Sequence, residues 1–199
     1  MRRAPARQAP RSFVASGWHT WSVSGSTSWT SARLTLRPIP WEAVLAVVEG
    51  RRLAGWADDF PAAGDVFIAG GLHRGEIGQA QRPGGEVLWG HHQVVETSSG
   101  LVVGGVGFHG PPKGGEVEIG YGIVPTCQGR GYATEAVSKL VSLALTMPEV
   151  VSVVASTDAD NVASQRVLEK AGFKLADRSD GRRYRIGRSS LDGRAADSL

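Results

Sequence analysis

The sequence predicts an α+β fold with one strand–loop–helix–strand unit in the middle of the chain. Strand-like segments follow one another between residues 87 and 124, an amphipathic helix comes next, and a further strand and helix precede two closing strands. The 199 residues suffice for one ordinary domain with its own hydrophobic core. A composition with 41% hydrophobic and 21% charged residues excludes collagen and coiled coil.

The domain is predicted to begin with a strand and a helix. Residues 33–39 alternate between apolar and polar side chains, which is typical of a half-buried strand. Residues 40–49 follow with helical apolar spacing behind a proline. Residues 51–71 predict one or two further short helical regions, around 55–57 and 65–70, with Pro61 as a break.

Three strands in series are predicted next. Residues 87–97 and 101–109 are rich in valine and are joined by a short turn, so they predict a hairpin. Residues 116–124 alternate as well, with apolar side chains on one face and Glu116 and Glu118 on the other. The alternation indicates that this third strand is also half buried.

The second half of the chain is predicted to alternate helices with strands. A helix begins near Ala133, where apolar residues recur at i, i+3, i+4 and i+7. Residues 150–155 form a short apolar run that predicts a buried strand. Asn161 is predicted to cap a helix over residues 162–171, and two strands close the domain between residues 173 and 186.

Both ends of the chain differ from this pattern. Residues 1–32 are rich in Arg, Ser and Thr, contain no acid and lack the apolar core of a secretory signal. We interpret them as a disordered extension or as the product of a start codon assigned too far upstream. Residues 188–199 are small and polar and predict a frayed tail. The predicted domain therefore spans residues 33–187.

Charge and cysteine content exclude several classes of partner. Six of the 22 basic residues and none of the 19 acidic residues lie in residues 1–40, so residues 41–199 carry 16 basic and 19 acidic side chains. A slightly acidic domain argues against nucleic acid as the partner. No apolar run reaches the roughly 18 residues of a membrane span. One cysteine, Cys127, cannot form an internal disulfide, so nothing requires an oxidising compartment and we expect a cytoplasmic protein. The oligomeric state is left open between a monomer and a homodimer.

A glycine-containing loop predicts an anion site. It comprises residues 128–133, Gln-Gly-Arg-Gly-Tyr-Ala, and lies between a predicted strand and the N-terminus of a helix. Free N–H groups at a helix N-terminus favour a phosphate, and glycines let the backbone approach it. Thr134 stands where a dinucleotide fingerprint requires its third glycine, and the lysine of a P-loop is missing. The sequence therefore predicts a pyrophosphate cradle without either nucleotide motif.

The loop and a second segment resemble the GNAT superfamily of N-acetyltransferases. Gln128, Gly131 and Ala133 fill the fixed places of its acetyl-CoA motif, (Gln/Arg)-x-x-Gly-x-(Gly/Ala), behind Glu-Ile-Gly-Tyr-Gly-Ile at residues 118–123. The sequences Asp-Asn-Val-Ala-Ser and Glu-Lys-Ala-Gly-Phe at residues 160–173 resemble the second motif of the family. The resemblance covers about residues 33–187 and is greatest to the subgroup that includes the ribosomal-protein alanine N-acetyltransferases.

The resemblance implies a mixed, mostly antiparallel sheet in which a splayed strand pair holds the cofactor, acetyl-CoA as co-substrate, with no metal. The pantetheine arm would pair with the backbone of residues 123–125, and the pyrophosphate would meet the N–H groups of residues 129–134. The implied cofactor-binding residues are Ile123, Val124, Gln128, Gly129, Arg130, Gly131, Tyr132, Ala133, Thr134 and Asn161. Adjacent His91 and His92 point to opposite faces of a strand, which excludes one shared metal site.

Acetyl transfer to a primary amine requires a neutral nitrogen and a proton for the leaving thiolate. Deprotonating a lysine-type amine at pH 7 costs about 4.6 kcal/mol, whereas an α-amine costs about 1 kcal/mol. By resemblance, Glu118 or Glu116 would act as the base through water. Leu168 occupies the place where many relatives have a catalytic tyrosine. The subgroup instead uses a serine in the first helical turn, and Ser164 matches it as the predicted acid.

The sequence leaves two other functions open. A non-catalytic acyl-CoA-binding or sensor module on the same fold would keep the cradle and dispense with the acid and base. A nucleotide-binding protein would prefer ATP or NAD to CoA. The amine acceptor is equally open between a small molecule and a protein N-terminus, because the segments expected to form its site carry no chemical signature.

Overall fold

The structure, a computed structural model, describes residues 28–76, 89–178 and 181–188. Within these ranges the chain forms strands and helices with the following bounds: β1 (Trp29–Thr30), β2 (Leu34–Pro38), α1 (Trp41–Val48), α2 (Ala63–Arg74), β3 (His91–Glu96), β4 (Val102–Phe108), β5 (Glu116–Ile123), α3 (Tyr132–Ala144), β6 (Ser152–Thr157), α4 (Val162–Lys170), β7 (Lys174–Asp177) and β8 (Arg182–Gly187). A 3₁₀ turn, Pro125–Cys127, connects β5 to the loop before α3.

The described strands form one sheet in the order β1-β2-β3-β4-β5-β6-β8-β7. Neighbours pair antiparallel except β5 and β6, which run parallel. A parallel pair needs a long crossover, and here α3 supplies it. The mixed, mostly antiparallel sheet flanked by helices confirms the predicted α+β fold.

Strands β5 and β6 separate at the centre of the sheet. Their pairing ends at Glu118 opposite Val154, although β5 continues to Ile123. Past that point β5 stays paired with β4 as far as Gly104, and β6 stays paired with β8 as far as Thr157. The two halves of the sheet therefore diverge and leave a V-shaped gap.

The helices cover opposite faces of the sheet. A Cβ on Gly105 of β4 would point at the carboxylate of Asp65 on α2. On the alternate face, Tyr121 of β5 bonds Ser164 of α4. Because successive residues of a strand face opposite sides, α2 and α4 lie on different faces. Helix α1 packs against α2, and α3 packs against α4.

The segment before the first hairpin differs in part from the prediction. Residues 55–57 form a turn in which the buried Trp56 bridges to Val102, whereas the predicted helical region 65–70 lies inside a longer helix, α2. Gly70 and Gly71 each weaken a helix interior by about 1 kcal/mol, which made a long helix difficult to predict. Packing against α1 offsets this cost, since Gly71 is buried in α2.

Strand β1 lies within the predicted N-terminal extension. Trp29 pairs opposite Leu36, and Ser31 Oγ donates to Glu135 Oε1 of α3 at 2.8 Å. A domain start at residue 33 thus omits a strand that the structure pairs with β2. Residues 1–27 and 189–199 lie outside the described residues, as do residues 87–88 of the predicted hairpin and residues 179–180 before β8.

Neither a membrane-spanning helix nor a cluster of metal ligands occurs in the described ranges. None of their helices is long and apolar enough to cross a bilayer. In the same ranges, no three His, Cys, Asp or Glu side chains are grouped so that they could hold a metal ion.

Candidate functional site

A cleft of about 700 Å³ follows the gap between the diverging strands, bordered by α3 and α4. The structure brings most of the predicted site residues together along its walls: Ile123, Gln128, Gly129, Gly131, Tyr132, Ala133, Thr134, Asn161 and Ser164. These residues come from β5, the following loop and the first turns of two helices. The cleft therefore forms where the parallel strands β5 and β6 stop pairing.

Two predicted cofactor residues do not line the cleft. Val124 is completely buried, and its N–H donates to the Val103 carbonyl at 2.9 Å, so this N–H is already occupied. The guanidinium of Arg130 lies 3.8 Å from Glu96 Oε1. Hydrogen bonds from Ser99 and Tyr132 lower the pKa of the Glu96 carboxyl group, so this group stays a negatively charged carboxylate. Arg130 is therefore turned toward β3.

The loop before α3 presents free N–H groups to the cleft. Gly129 and Gly131 have φ values of 75° and 81°, a left-handed conformation that other residues adopt at a cost. The first backbone bond of the helix runs from Glu135 N–H to the Gly131 carbonyl at 3.0 Å. Consequently the N–H groups of Tyr132, Ala133 and Thr134 have no acceptor within the helix. Together with the helix dipole they form a site for an anion.

Side chains hold this loop from both sides. Gln128 Nε2 donates to the Ile123 carbonyl at 2.9 Å and closes the turn after β5. Arg33 donates from its backbone N and from Nε to the carboxylate of Glu135, each at 2.8 Å, and from a terminal nitrogen to the Arg130 carbonyl at 2.9 Å. The Tyr132 hydroxyl donates to Glu96. The anion site is thus fixed to β2 and β3 before any ligand binds.

Helix α4 supplies positive charge to the opposite wall. Arg166 and Lys170 both line the cleft, one helical turn apart. Sequence reasoning missed them, although their i, i+4 spacing places both on one side of α4. Two cations across from a row of free N–H groups favour a ligand with several phosphate charges.

A pair of hydroxyl groups lies between β5 and α4. Asn161 Oδ1 caps the helix by accepting from Ser164 N–H at 3.0 Å. Ser164 Oγ lies 2.7 Å from the Tyr121 hydroxyl, which also donates to the Ser164 carbonyl at 3.1 Å. Burial raises the pKa of Tyr121 to about 12, so the phenol keeps its proton at neutral pH. Sequence reasoning counted Tyr121 among the apolar residues of its strand face and missed this contact.

The two predicted bases lie on the paired part of β5, and neither lines the cleft. Glu116 forms ion pairs with Arg183 and Arg185 of β8. Glu118 Oε1 accepts from Ser156 Oγ at 3.0 Å, and Glu118 Oε2 lies 4.0 Å from Nδ1 of His109. The structure therefore does not bring either carboxylate next to Ser164.

A second, smaller pocket of about 200 Å³ lies on the face covered by α1 and α2. Gly64, Asp65, Tyr121 and Gly122 line both this pocket and the cleft, so the two cavities meet there. Asp65 is partly buried, and its Oδ2 accepts from Ala62 N–H at 3.0 Å. Burial raises the pKa of Asp65 from its ordinary value of 3.8 to about 6, against the lowering effect of that hydrogen bond.

The Asp65→Asn variant is expected to be more stable than the wild type at high pH. With a pKa of 3.8 unfolded and about 6 folded, Asp65 binds its proton more tightly in the folded state. Stability is therefore lost as pH rises through this window, by about 2 to 3 kcal/mol in total. Asparagine keeps the acceptor for Ala62 and cannot ionise. Melting temperatures should differ by several degrees at pH 8 and converge near pH 4.

If the melting temperature of Asp65→Asn at pH 8 were at or below that of the wild type, ionised Asp65 would not destabilise the folded protein, and the raised pKa of Asp65 would be contradicted. Asp58→Asn provides the control, because Asp58 is exposed in the same connection between α1 and α2. Its effect should be small at every pH.

Comparison with known proteins places the chain in a family. The family profile described as acetyltransferase (GNAT) domain matches residues 33–174. A Bacillus subtilis (strain 168) protein named uncharacterized N-acetyltransferase YjdG is 38% identical over 87 residues, 43% of this chain and 52% of that protein. The chain thus matches about half the length of this curated relative.

Solved structures share the fold at lower identity. An acetyltransferase (GNAT family) from Bacillus anthracis has a TM-score of 0.57 at 18% identity, covering 81% of this chain and 99% of that one. RimL, a ribosomal L7/L12 α-N-protein acetyltransferase in complex with coenzyme A, has a TM-score of 0.54 at 17% identity, covering 80% and 97%. Since the family profile covers well over half of the sequence, the chain belongs to the GNAT acetyltransferase family.

Proposed function

We propose that the protein is an N-acetyltransferase that transfers an acetyl group from acetyl-CoA to a primary amine by direct attack in a ternary complex. The observation that carries this proposal is the layout of the cleft. An anion site of free N–H groups lies along one wall, and the hydroxyl pair of Ser164 and Tyr121 lies along another, where a second pocket joins. A phosphate-bearing acyl donor and an amine could therefore meet at Tyr121.

The residues of the cleft fit CoA. The N–H groups of Tyr132, Ala133 and Thr134 suit the pyrophosphate, and Arg166 and Lys170 add charges for further phosphate oxygens. Asn161, whose Oδ1 already caps α4, presents its amide to the cleft beside Ser164. When bound, acetyl-CoA would supply the thioester carbonyl that the amine attacks.

The hydroxyl pair suits protonation of the leaving thiolate. Ser164 Oγ–H can turn toward a sulfur in the cleft when the Tyr121 hydroxyl, which otherwise donates to the Ser164 carbonyl, donates instead to Oγ, 2.7 Å away. The raised pKa of Tyr121 keeps that donor protonated over the neutral range. Ser164 is therefore our proposed acid, and Glu118 and Glu116 stay predictions as the base, since neither lines the cleft.

The test is thiol release by the full-length protein. Acetyl-CoA is incubated with a panel of primary amines that includes an alkylamine, a lysine-containing peptide with a blocked N-terminus and a peptide with a free N-terminal alanine. We expect CoA release that depends on the amine, with the acetylated product identified by mass. Release at the same rate without amine, or no release although CoA binds, would contradict the proposal.

One observation favours a second function, a non-catalytic acyl-CoA-binding or sensor module. Both predicted bases have other partners: Glu116 pairs with two arginines, and Glu118 accepts from Ser156. A sensor would need only the anion site and the cleft. Binding of acetyl-CoA without turnover of any amine would support this alternative. In either case a cytoplasmic location and a monomer or homodimer remain predictions from the sequence.

A further inference from the structure

The pocket under α2 has a floor without side chains. Gly105 of β4 pairs opposite Gly122 of β5, and Gly120 lies two residues before Gly122 on the same face. A Cβ on Gly105 would come within 2.8 Å of Asp65 Oδ1, a distance that real contacts essentially never show. Glycine at this position therefore makes room for the carboxylate. Since Oδ2 accepts from Ala62, Oδ1 is the oxygen that faces the floor.

A buried histidine in the same pocket indicates a polar ligand. His91 is only 3% exposed, and within the part of the chain that the structure describes its Nε2 has no hydrogen-bond partner. Buried polar atoms are almost always paired, and an orphan needs an explanation such as a missing ligand. His91 lines the pocket together with Asp65, so both polar groups can reach one occupant.

The electrostatics of the pocket favour a cation. Burial, with His109 and His92 nearby, lowers the pKa of His91 to about 3, so this ring is neutral at pH 7. Among the described lining residues Asp65 is the only carboxylate, and it is mostly ionised at that pH. A carboxylate in partly desolvated surroundings attracts an ammonium group much more strongly than one in water does.

The other titratable groups near the pocket do not remove its preference for a positively charged ligand. Burial lowers the pKa of His92 to about 4, and Tyr121 keeps its proton. His109, after β4, is exposed near Glu118. Arg37 of β2 does not line the pocket and donates to Gln93 Oε1 at 2.7 Å. The remaining walls are largely apolar, with Ile39, Val47, Phe60, Phe67 and Ile68.

We propose that this pocket binds the acceptor as a primary alkylammonium ion, and that Asp65 Oδ1 holds the ammonium group and takes its first proton. The inference rests on the proposed function, because it names the substrate class of that site. A pocket of about 200 Å³ is smaller than the roughly 300–1,000 Å³ of drug-sized ligand sites, so it suits one side-chain-sized stem. The alkyl part that fills the pocket would belong to a free alkylamine or to a lysine side chain.

The proton balance of the transfer is complete. The ammonium gives one proton to Asp65, and the freed nitrogen lone pair forms a bond to the thioester carbonyl carbon as the carbon–sulfur bond breaks. The nitrogen then loses a second proton, which goes to Ser164 and restores the proton that Ser164 gives to the thiolate. Asp65 returns its proton to water after the amide leaves. A base is needed here because an alkylammonium has a pKa near about 10.4.

The first test measures binding without turnover. Full-length protein saturated with CoA is titrated with n-pentylammonium and with 1-pentanol, a neutral molecule of similar shape, at pH 5 and pH 8. The wild type should prefer the ammonium by about tenfold or more at pH 8 and lose most of this preference at pH 5. Asp65→Asn should abolish the preference, and Asp58→Asn should keep it. Equal affinities in the wild type, or a preference that survives Asp65→Asn, would overturn the inference.

The second test uses the pH profile of turnover. With n-pentylamine or a blocked lysine peptide, kcat/KM of the wild type should rise through a midpoint near pH 6, and Asp65→Asn should lose that midpoint. These two substrates distinguish the free amine from the lysine side chain, and both should exceed the peptide with N-terminal alanine. A better α-amine substrate would overturn the inference alone, whereas ammonium preference without turnover of any amine would overturn only the proposed function.

Discussion

Replacing Gly131 with glutamate is expected to abolish the stabilisation of the protein by CoA. Gly131 is the N-cap of α3 at φ 81°, and the free N–H groups of the cradle follow it directly. Glutamate there strains the backbone and places a negative charge where a pyrophosphate should bind. In the wild type, CoA at a hundredfold excess over its Kd should add about 2.7 kcal/mol, which raises the melting temperature by about 5 to 10 °C.

Gly114→Glu separates the local effect from the general cost of the substitution. Gly114 has φ 59°, lies in the turn before β5, and a Cβ added there would meet open space. It receives a comparable strain and the same charge at the opposite end of β5 from the cradle, so its response to CoA should equal that of the wild type. Thermal shifts are recorded with CoA, acetyl-CoA, ATP and NAD. A CoA shift that survives in Gly131→Glu would exclude this loop as the pyrophosphate site.

Local patterns in the sequence predict most of the elements that form the cleft. Strand β5 alternates, α3 has helical apolar spacing, and Asn161 caps α4 as predicted, because each of these signals depends on near neighbours in the chain. The loop at residues 128–133 predicts the anion site at the start of α3, and the resemblance implies that its ligand is acetyl-CoA. The coupling of loop and sheet through Arg33 and Glu135 joins residues about a hundred positions apart and has no local signature.

The parts of the site that the sequence did not predict depend on tertiary contacts. In the sequence, Tyr121 looks like an apolar residue of its strand. Its hydroxyl has a role only because β5 and β6 diverge and α4 places Ser164 Oγ 2.7 Å away. Asp65 lies in a helix that was predicted too short, because packing on α1 overrides its glycines. The raised pKa of Asp65 arises from burial where α2 packs on the sheet, and its place next to Gly105 arises from strand register. Periodicity in the sequence contains neither kind of information.

Removing the Ser164 hydroxyl is expected to lower kcat for acetyl transfer by about 10²- to 10³-fold, within the roughly 10²- to 10⁴-fold that a positioned acid contributes. The Ser164→Ala variant loses the group that can donate to the sulfur, while Asn161 still caps the helix through the backbone N–H. The KM for acetyl-CoA should stay within about threefold, because the residues that we propose to contact the phosphates lie on α3 and farther along α4. Ser142→Ala is the control, since Ser142 is an exposed serine of α3 whose hydroxyl bonds only its own helix among described residues.

Tyr121→Phe tests whether the two hydroxyl groups act as one unit. Phenylalanine keeps the ring in place and removes the donor to Ser164, so we expect a smaller loss, about tenfold in kcat. Because Tyr121 would act through Ser164, the double variant should be no slower than Ser164→Ala, which gives a large coupling energy in the double-mutant cycle. Fully additive losses would mean that Tyr121 acts on the reaction independently. A kcat for Ser164→Ala close to that of the wild type would remove Ser164 as the acid and leave Tyr121, the nearest protonated hydroxyl, to supply the proton.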